Sequence, residues 1–212
     1  MFNVDPISLI SRAITLIVAL TLHEYAHART AQAFGDPTPE MYGRVTLNPL
    51  AHLDPLGSLM MIFVGFGWAK PVPINPYVLS RRSTAAPMLV ALAGPFSNFL
   101  LALAAAIPFR AGLIPVNEAI SGSSFLPQFL LNFIVINLLL MFFNLIPLAP
   151  LDGDKIIEFF LPPSWAQALE RIRPMGPMLL MVILFVLPWV GIDVFGTLLY
   201  PPIGNLLRAL VY

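Results

Sequence analysis

Four apolar runs, at roughly 8 to 30, 86 to 109, 125 to 147 and 177 to 199, constrain this chain more than any other feature. Each meets the ~20 mostly apolar residues that a helix needs to cross the hydrocarbon layer of a bilayer. In lipid a backbone must satisfy its own hydrogen bonds, and runs this long do so as helices. A fifth apolar piece, GSLMMIFVGFGW from Gly57 to Trp68, is shorter and glycine-rich, which fits a re-entrant hairpin better than a full crossing. The expectation is an all-α integral membrane protein, a polytopic helical bundle of about four to six membrane segments. Composition agrees: 58% of residues are hydrophobic and 10% charged, against about 25% charged in a soluble domain. With 212 residues the chain reads as one membrane-embedded domain, a core at about 8 to 160 followed by a C-terminal helix or helices over 177 to 212.

Charge placement orients the bundle. If residues 57 to 68 return to the side they left, one face collects Arg29, Arg44, Lys70, Arg81, Arg82, Lys155, Arg171 and Arg173, while the other holds Arg12, Arg110 and, near the C-terminus, Arg208. The positive-inside rule makes the crowded face cytoplasmic and puts the N-terminus outside. Eleven basic and eleven acidic residues cancel, so nothing points to nucleic acid, and the lipid bilayer is the surface this chain must meet. The absence of cysteine removes disulfides, iron–sulfur clusters and thiol nucleophiles together; any metal must be held by nitrogen and oxygen. The first apolar run lacks a basic start and a small-residue cleavage site, so it reads as retained. Prolines cluster at helix ends, where the missing amide proton does no harm. WAKPVPINPYVL reads as extended, a short β-like hairpin region near residues 66 to 80 whose edge could accept an unwound peptide. PPIGNLLRALVY reads as a short interfacial helix.

The first run also contains TLHEYAHA, residues 21 to 28. Residues four apart share a helix face, so His23 and His27 point the same way, with Glu24 beside them. Two neutral imidazoles can grip zinc while the adjacent carboxylate takes a proton from an attacking water. Ionisable groups inside a span cost several kcal/mol and mark function, which weighs against two histidines merely satisfied by backbone carbonyls. A catalytic zinc usually has three protein ligands. His52, Asp36, Asp54, Asp152 and Asp154 are the candidates for the third. Asp36 (GDPTPE) and Asp54 (HLDPLG) lie in turn-forming sequence where Asp commonly caps. His52 has the setting of a solvated loop residue that could also fold back over a metal. Asp152, in FFNLIPLAPLDGD, follows a proline-broken end of an apolar helix, where capping competes with ligation.

HEYAH in the first helix, GPFSN (Gly94 to Asn98) in a later one and NLIPLAPLDGD (Asn144 to Asp154) after the next together resemble the site-2 protease family of intramembrane zinc metalloproteases. GRVTLNPLAHLDPLG and FGWAKPVPINP are similar to a compact prokaryotic branch of that family without PDZ or CBS domains. The likeness runs from about Leu22 to Lys155. It implies one Zn²⁺ per chain with His23, His27 and Asp152 as ligands and Glu24 as general base, the active site toward the cytoplasmic side of the plasma membrane, and the transmembrane segment of another protein as substrate. Asn144 and Asn98 would support the oxyanion or the substrate backbone, although either amide could instead join helices. Gly94 would allow close helix packing. Asp154 departs from the second glycine common in that branch after LDG, which leaves the local loop geometry open. Two rivals stand beside the protease: a membrane metal carrier or sensor using the same ligands, and an inactive scaffold for membrane helices. Nothing in the residues fixes an oligomeric state.

Overall fold

A computed structural model of the chain describes residues 6–57, 60, 67–122 and 124–212. Most of the expected hairpin at 57 to 68 lies outside the described residues. Three long helices form the framework: α1 (Pro6–Ala33), α2 (Ala86–Arg110) and α3 (Phe125–Asn144). Three more follow: α4 (Asp152–Phe160), a continuous helical run α5 (Pro163–Val190) and α6 (Val194–Val211). Among the described residues α2, α3, α5 and α6 are long and apolar enough to cross a membrane. The protein is an all-α polytopic membrane protein.

Small residues decide how closely the framework packs. Ala19, Ala28 and Ala31 of α1 and Ala86, Ala91 and Gly94 of α2 are buried, and short side chains let helix backbones approach where lipid offers no hydrophobic drive. Farther along, Ala102, Ala105, Ala106 and Phe109 of α2 meet Ile134, Leu138 and Met141 of α3 and Leu199, Ile203 and Val211 of α6 in one core cluster. Burying one such aliphatic side chain in a close-packed interior rather than a void is worth about 2–5 kcal/mol by truncation. Each helix ends for a local reason. At the end of α1, Gly35 takes φ +87° and the Asp36 N–H returns to the Ala31 carbonyl at 3.1 Å, a left-handed stop that glycine permits.

Three expectations are corrected. The last apolar run, 177 to 199, is interrupted: α5 ends in a 3₁₀ turn at Leu187–Val190, Gly191 takes φ +82°, and Asp193 caps α6 by accepting the Gly196 N–H at 2.7 Å. Glycine in the left-handed region and an Asp cap thus break a run whose hydropathy alone is unbroken. The tail is accordingly not a short interfacial helix but part of the 18-residue α6, which begins against the C-terminal end of α3 with Phe195 and Phe143 ring centroids 5.5 Å apart. The extended region is also shorter than 66 to 80. Residues 67–75 are irregular, touching Leu53 by a single antiparallel bridge at Ala69. Pro76–Arg82 is helical because Asn75 accepts the Tyr77 and Val78 N–H groups and Pro76 occupies the first turn.

Candidate metal centre

The site is built where α1 and α2 cross and the loop after α3 returns. His23 and His27, one turn apart on α1, are 4% and 8% exposed, and their Nε2 atoms lie 3.0 Å apart. Asp152, the first residue of α4, brings Oδ2 to 3.1 Å from His23 Nε2 and Oδ1 to 3.4 Å from His27 Nε2. The three groups offer donor atoms that all lie within 4.8 Å of one another.

The far side of each imidazole fixes its tautomer. His27 Nδ1 is 2.7 Å from the Val90 carbonyl, which can only accept, so Nδ1 carries the proton. His23 Nδ1 donates to Asn98 Oδ1 at 2.6 Å. Asn98 is oriented in turn, its Nδ2 donating to Asn137 Oδ1 at 3.0 Å and to the Ala19 carbonyl at 3.4 Å, while Asn137 Nδ2 donates to the Phe133 carbonyl at 2.8 Å. Both Nε2 lone pairs therefore face the Asp152 carboxylate. Three acceptors converging repel one another unless a cation or a proton lies among them, and the buried Asp152 Oδ2 has no hydrogen-bond donor. Separations of 3.0–3.4 Å match neighbouring corners of a tetrahedron with bonds of about 2 Å. Gly94 completes the cradle, since a Cβ there would collide with the Nε2 atoms of both histidines. Donor set, spacing and outer hydrogen bonds thus fit zinc.

A cavity of about 650 Å³ lies against this cluster. Glu24, Asn144, Lys155 and Glu158 supply polar groups to its wall; the extended stretch around Pro71, Val72 and Ile74 and Leu180 of α5 supply apolar ones. Asn144 donates its amide to the Leu140 carbonyl of its own helix at 3.0 Å. Asn98 does not line the cavity. It is fully buried, and its amide is spent behind His23, so its support goes to an imidazole rather than to an oxyanion or substrate.

Of the five candidate third ligands, Asp152 alone joins the two histidines. Asp36 accepts the Thr38 and Asn75 N–H groups at 3.0 and 2.6 Å, and Asp54 accepts that of Gly57 at 2.8 Å. His52 is not solvated: it is fully buried, with Nε2 donating to the Thr46 carbonyl at 2.8 Å. Asp154 points away from the cluster, its Oδ2 2.7 Å from Arg173 Nε. Arg173 also reaches Glu158 at 2.8 Å, and Glu158 reaches Lys155 at 3.2 Å. Partial burial opposes ionisation of Glu158, but the charges and hydrogen bonds of Lys155 and Arg173 outweigh it and hold the carboxyl below its ordinary value. Asn137 and Arg173 are the residues that sequence reasoning missed. An amide in the middle of the apolar run IVINLLL was the available signal for the first.

Paired imidazoles and a carboxylate, on one cavity with the Glu24 carboxylate, form a group that could hold a metal ion beside a second acidic side chain. The chain is 42% identical over 178 residues to "Putative zinc metalloprotease YwhC" of Bacillus subtilis, an alignment covering 82% of this chain and 80% of that protein. It is 33% identical over 184 residues to "Putative zinc metalloprotease Rip2" of Mycobacterium tuberculosis, covering 85% and 68% respectively. The Rip2 of Mycolicibacterium smegmatis is 32% identical over 179 residues, covering 81% and 65%. No protein-family model and no solved structure matches the chain. The chain belongs to this family of zinc metalloproteases.

Proposed function

We propose that this protein is a site-2 protease-like intramembrane metalloprotease, of the compact branch without PDZ or CBS domains, that hydrolyses peptide bonds within or near the transmembrane segments of other membrane proteins. The observation that carries the proposal is the convergence of His23, His27 and Asp152, with Glu24 on the same cavity, in a bundle of membrane-crossing helices. His23, His27 and Asp152 would hold one zinc per chain. When bound, it supplies a Lewis acid that polarises the scissile carbonyl and acidifies the attacking water. Glu24 takes the proton of that water as its oxygen bonds to the carbonyl carbon, and gives a proton to the amine as the C–N bond breaks. Asn144, on the cavity wall, is positioned to hold the substrate backbone. The substrate must unwind locally, because a helix uses its carbonyls internally, and the irregular stretch at 67–75 offers an unwound segment an extended neighbour.

The basic residues after α1 and α3 support, by the positive-inside rule, a reading in which this cavity opens to the cytoplasmic side of a prokaryotic plasma membrane. The test uses purified protein in detergent with a panel of single-span substrates, with and without a chelator. Wild-type protein should cleave, and Glu24→Gln should keep its zinc while losing roughly 10²–10⁴-fold in rate. Cleavage that survives Glu24→Gln unchanged would overturn the assignment. Zinc retention without cleavage by wild type on any substrate would favour a metal carrier or sensor that uses the same ligands.

A further inference from the structure

Asp152 reaches the metal cluster at the start of the nine-residue α4, which packs against α2. α4 is also gripped from α5, at the turn that begins with Arg173. Arg173 Nε donates to Asp154 Oδ2 at 2.7 Å and Arg173 Nη2 to Glu158 at 2.8 Å, two positions one turn apart on the helix that begins with Asp152. Asp154 is 2% exposed and its other oxygen has no partner, so this guanidinium is its sole neutralising contact among the described residues. Three residues on, Gly176 seats against the Ala149 carbonyl, leaving no room for a side chain. Gly153 is pressed in the same way onto the carbonyls of Leu145 and Ile146. The turn bearing Asp152 is therefore clamped between the end of α3 and the Arg173–Gly176 corner.

From this we infer that Arg173 is a positioning residue for the metal centre: by gripping Asp154 and Glu158 it sets where α4 presents the Asp152 carboxylate to the imidazoles. A planar guanidinium with two donors on two carboxylates fixes orientation as well as distance, which a lysine ammonium does less well. The inference rests on reading Asp152 as a zinc ligand.

The experiment measures zinc affinity by competition with a chromogenic chelator, alongside thermal melting of the zinc-free protein. Arg173→Gln should bind zinc roughly 10- to 100-fold more weakly, the range seen when partners of metal ligands are removed, and Arg173→Lys should fall between it and wild type. Because Arg173→Gln strands a buried carboxylate, the Asp154→Asn/Arg173→Gln pair removes both charges; it should melt near wild type yet still bind zinc about tenfold more weakly. In any variant that cleaves, kcat should drop with KM little changed, as expected when a catalytic group is misplaced and binding is not. Wild-type zinc affinity in the double variant, or lowered melting of the single variants with unaltered affinity, would reduce Arg173 to a structural brace and overturn the inference. Failure of wild type to cleave would instead count against the proteolytic reading and leave these affinities interpretable.

Discussion

The two halves of the metal centre are held by different physics. His23 and His27 lie inside packed helices and are fixed by neutral hydrogen bonds, from Nδ1 to the Asn98 amide oxygen and to the Val90 carbonyl. Asp152 stands on a helix–loop corner, 21% exposed at its side chain, and its mount is held by ion pairs through Arg173, Asp154, Glu158 and Lys155. Neutral bonds in a low-dielectric interior are insensitive to salt and specify a tautomer. These ion pairs run from the buried Asp154 to the partly exposed Glu158 and Lys155, and at that exposed end they respond to pH and ionic strength. On the proposed function, the histidine half would define where the metal sits and the acidic half would deliver the ligand that closes the site.

The largest effect that bears on this contrast comes from deleting ligands. His27→Ala and Asp152→Ala should each abolish stoichiometric zinc by metal analysis, and zinc retained by Asp152→Ala alone would make the ionic half dispensable. Next is Gly94→Ala, whose added methyl must push against both imidazoles. It should cost about 1–3 kcal/mol of strain and lower zinc affinity at least tenfold with helix content, read by circular dichroism, unchanged. Third is Asn98→Ala, which frees the His23 ring and leaves Asn137 without its partner. A loss of roughly 10–100-fold in zinc affinity is expected, and raising the salt concentration should not deepen it; a salt-dependent loss would erase the distinction between the halves.

The smallest effect concerns Glu158. Its carboxyl titrates below its ordinary value in the folded protein, so its ion pairs stabilise the fold fully above that ordinary value of 4.5 and lose their contribution as pH falls through the lowered one. At pH 7 Glu158→Gln should lower stability by about 0.2–1 kcal/mol. The gap between wild type and variant in thermal melting should stay level through neutral pH and close only below 4.5.

Much of this was legible from residues. The i, i+4 spacing of His23 and His27 set both imidazoles on one face, and apolar runs located α2 and α3 nearly to their ends. Asp152 stood apart from the turn-forming Asp36 and Asp54 by following an apolar helix, but spacing could not separate ligation from capping there until motif order favoured it. Gly94 showed only that a small residue was wanted; that the space serves two imidazoles depends on how α2 crosses α1. Asn98 and Asn137 were visible as amides in apolar helices, but an amide bonded to a ligand and one bonded across an interface read identically in sequence. The break at Gly191 was masked by the hydropathy of its neighbours, although Pro188, Gly191 and Asp193 carried the stop and start signals. Arg173 was counted only as a positive charge on one face.

The line of amides from Phe133 through Asn137 and Asn98 to His23 needs no ion to hold it together. It links α3, α2 and α1 through neutral groups alone, so the aim of the His23 ring depends on how three helices pack and not on charge.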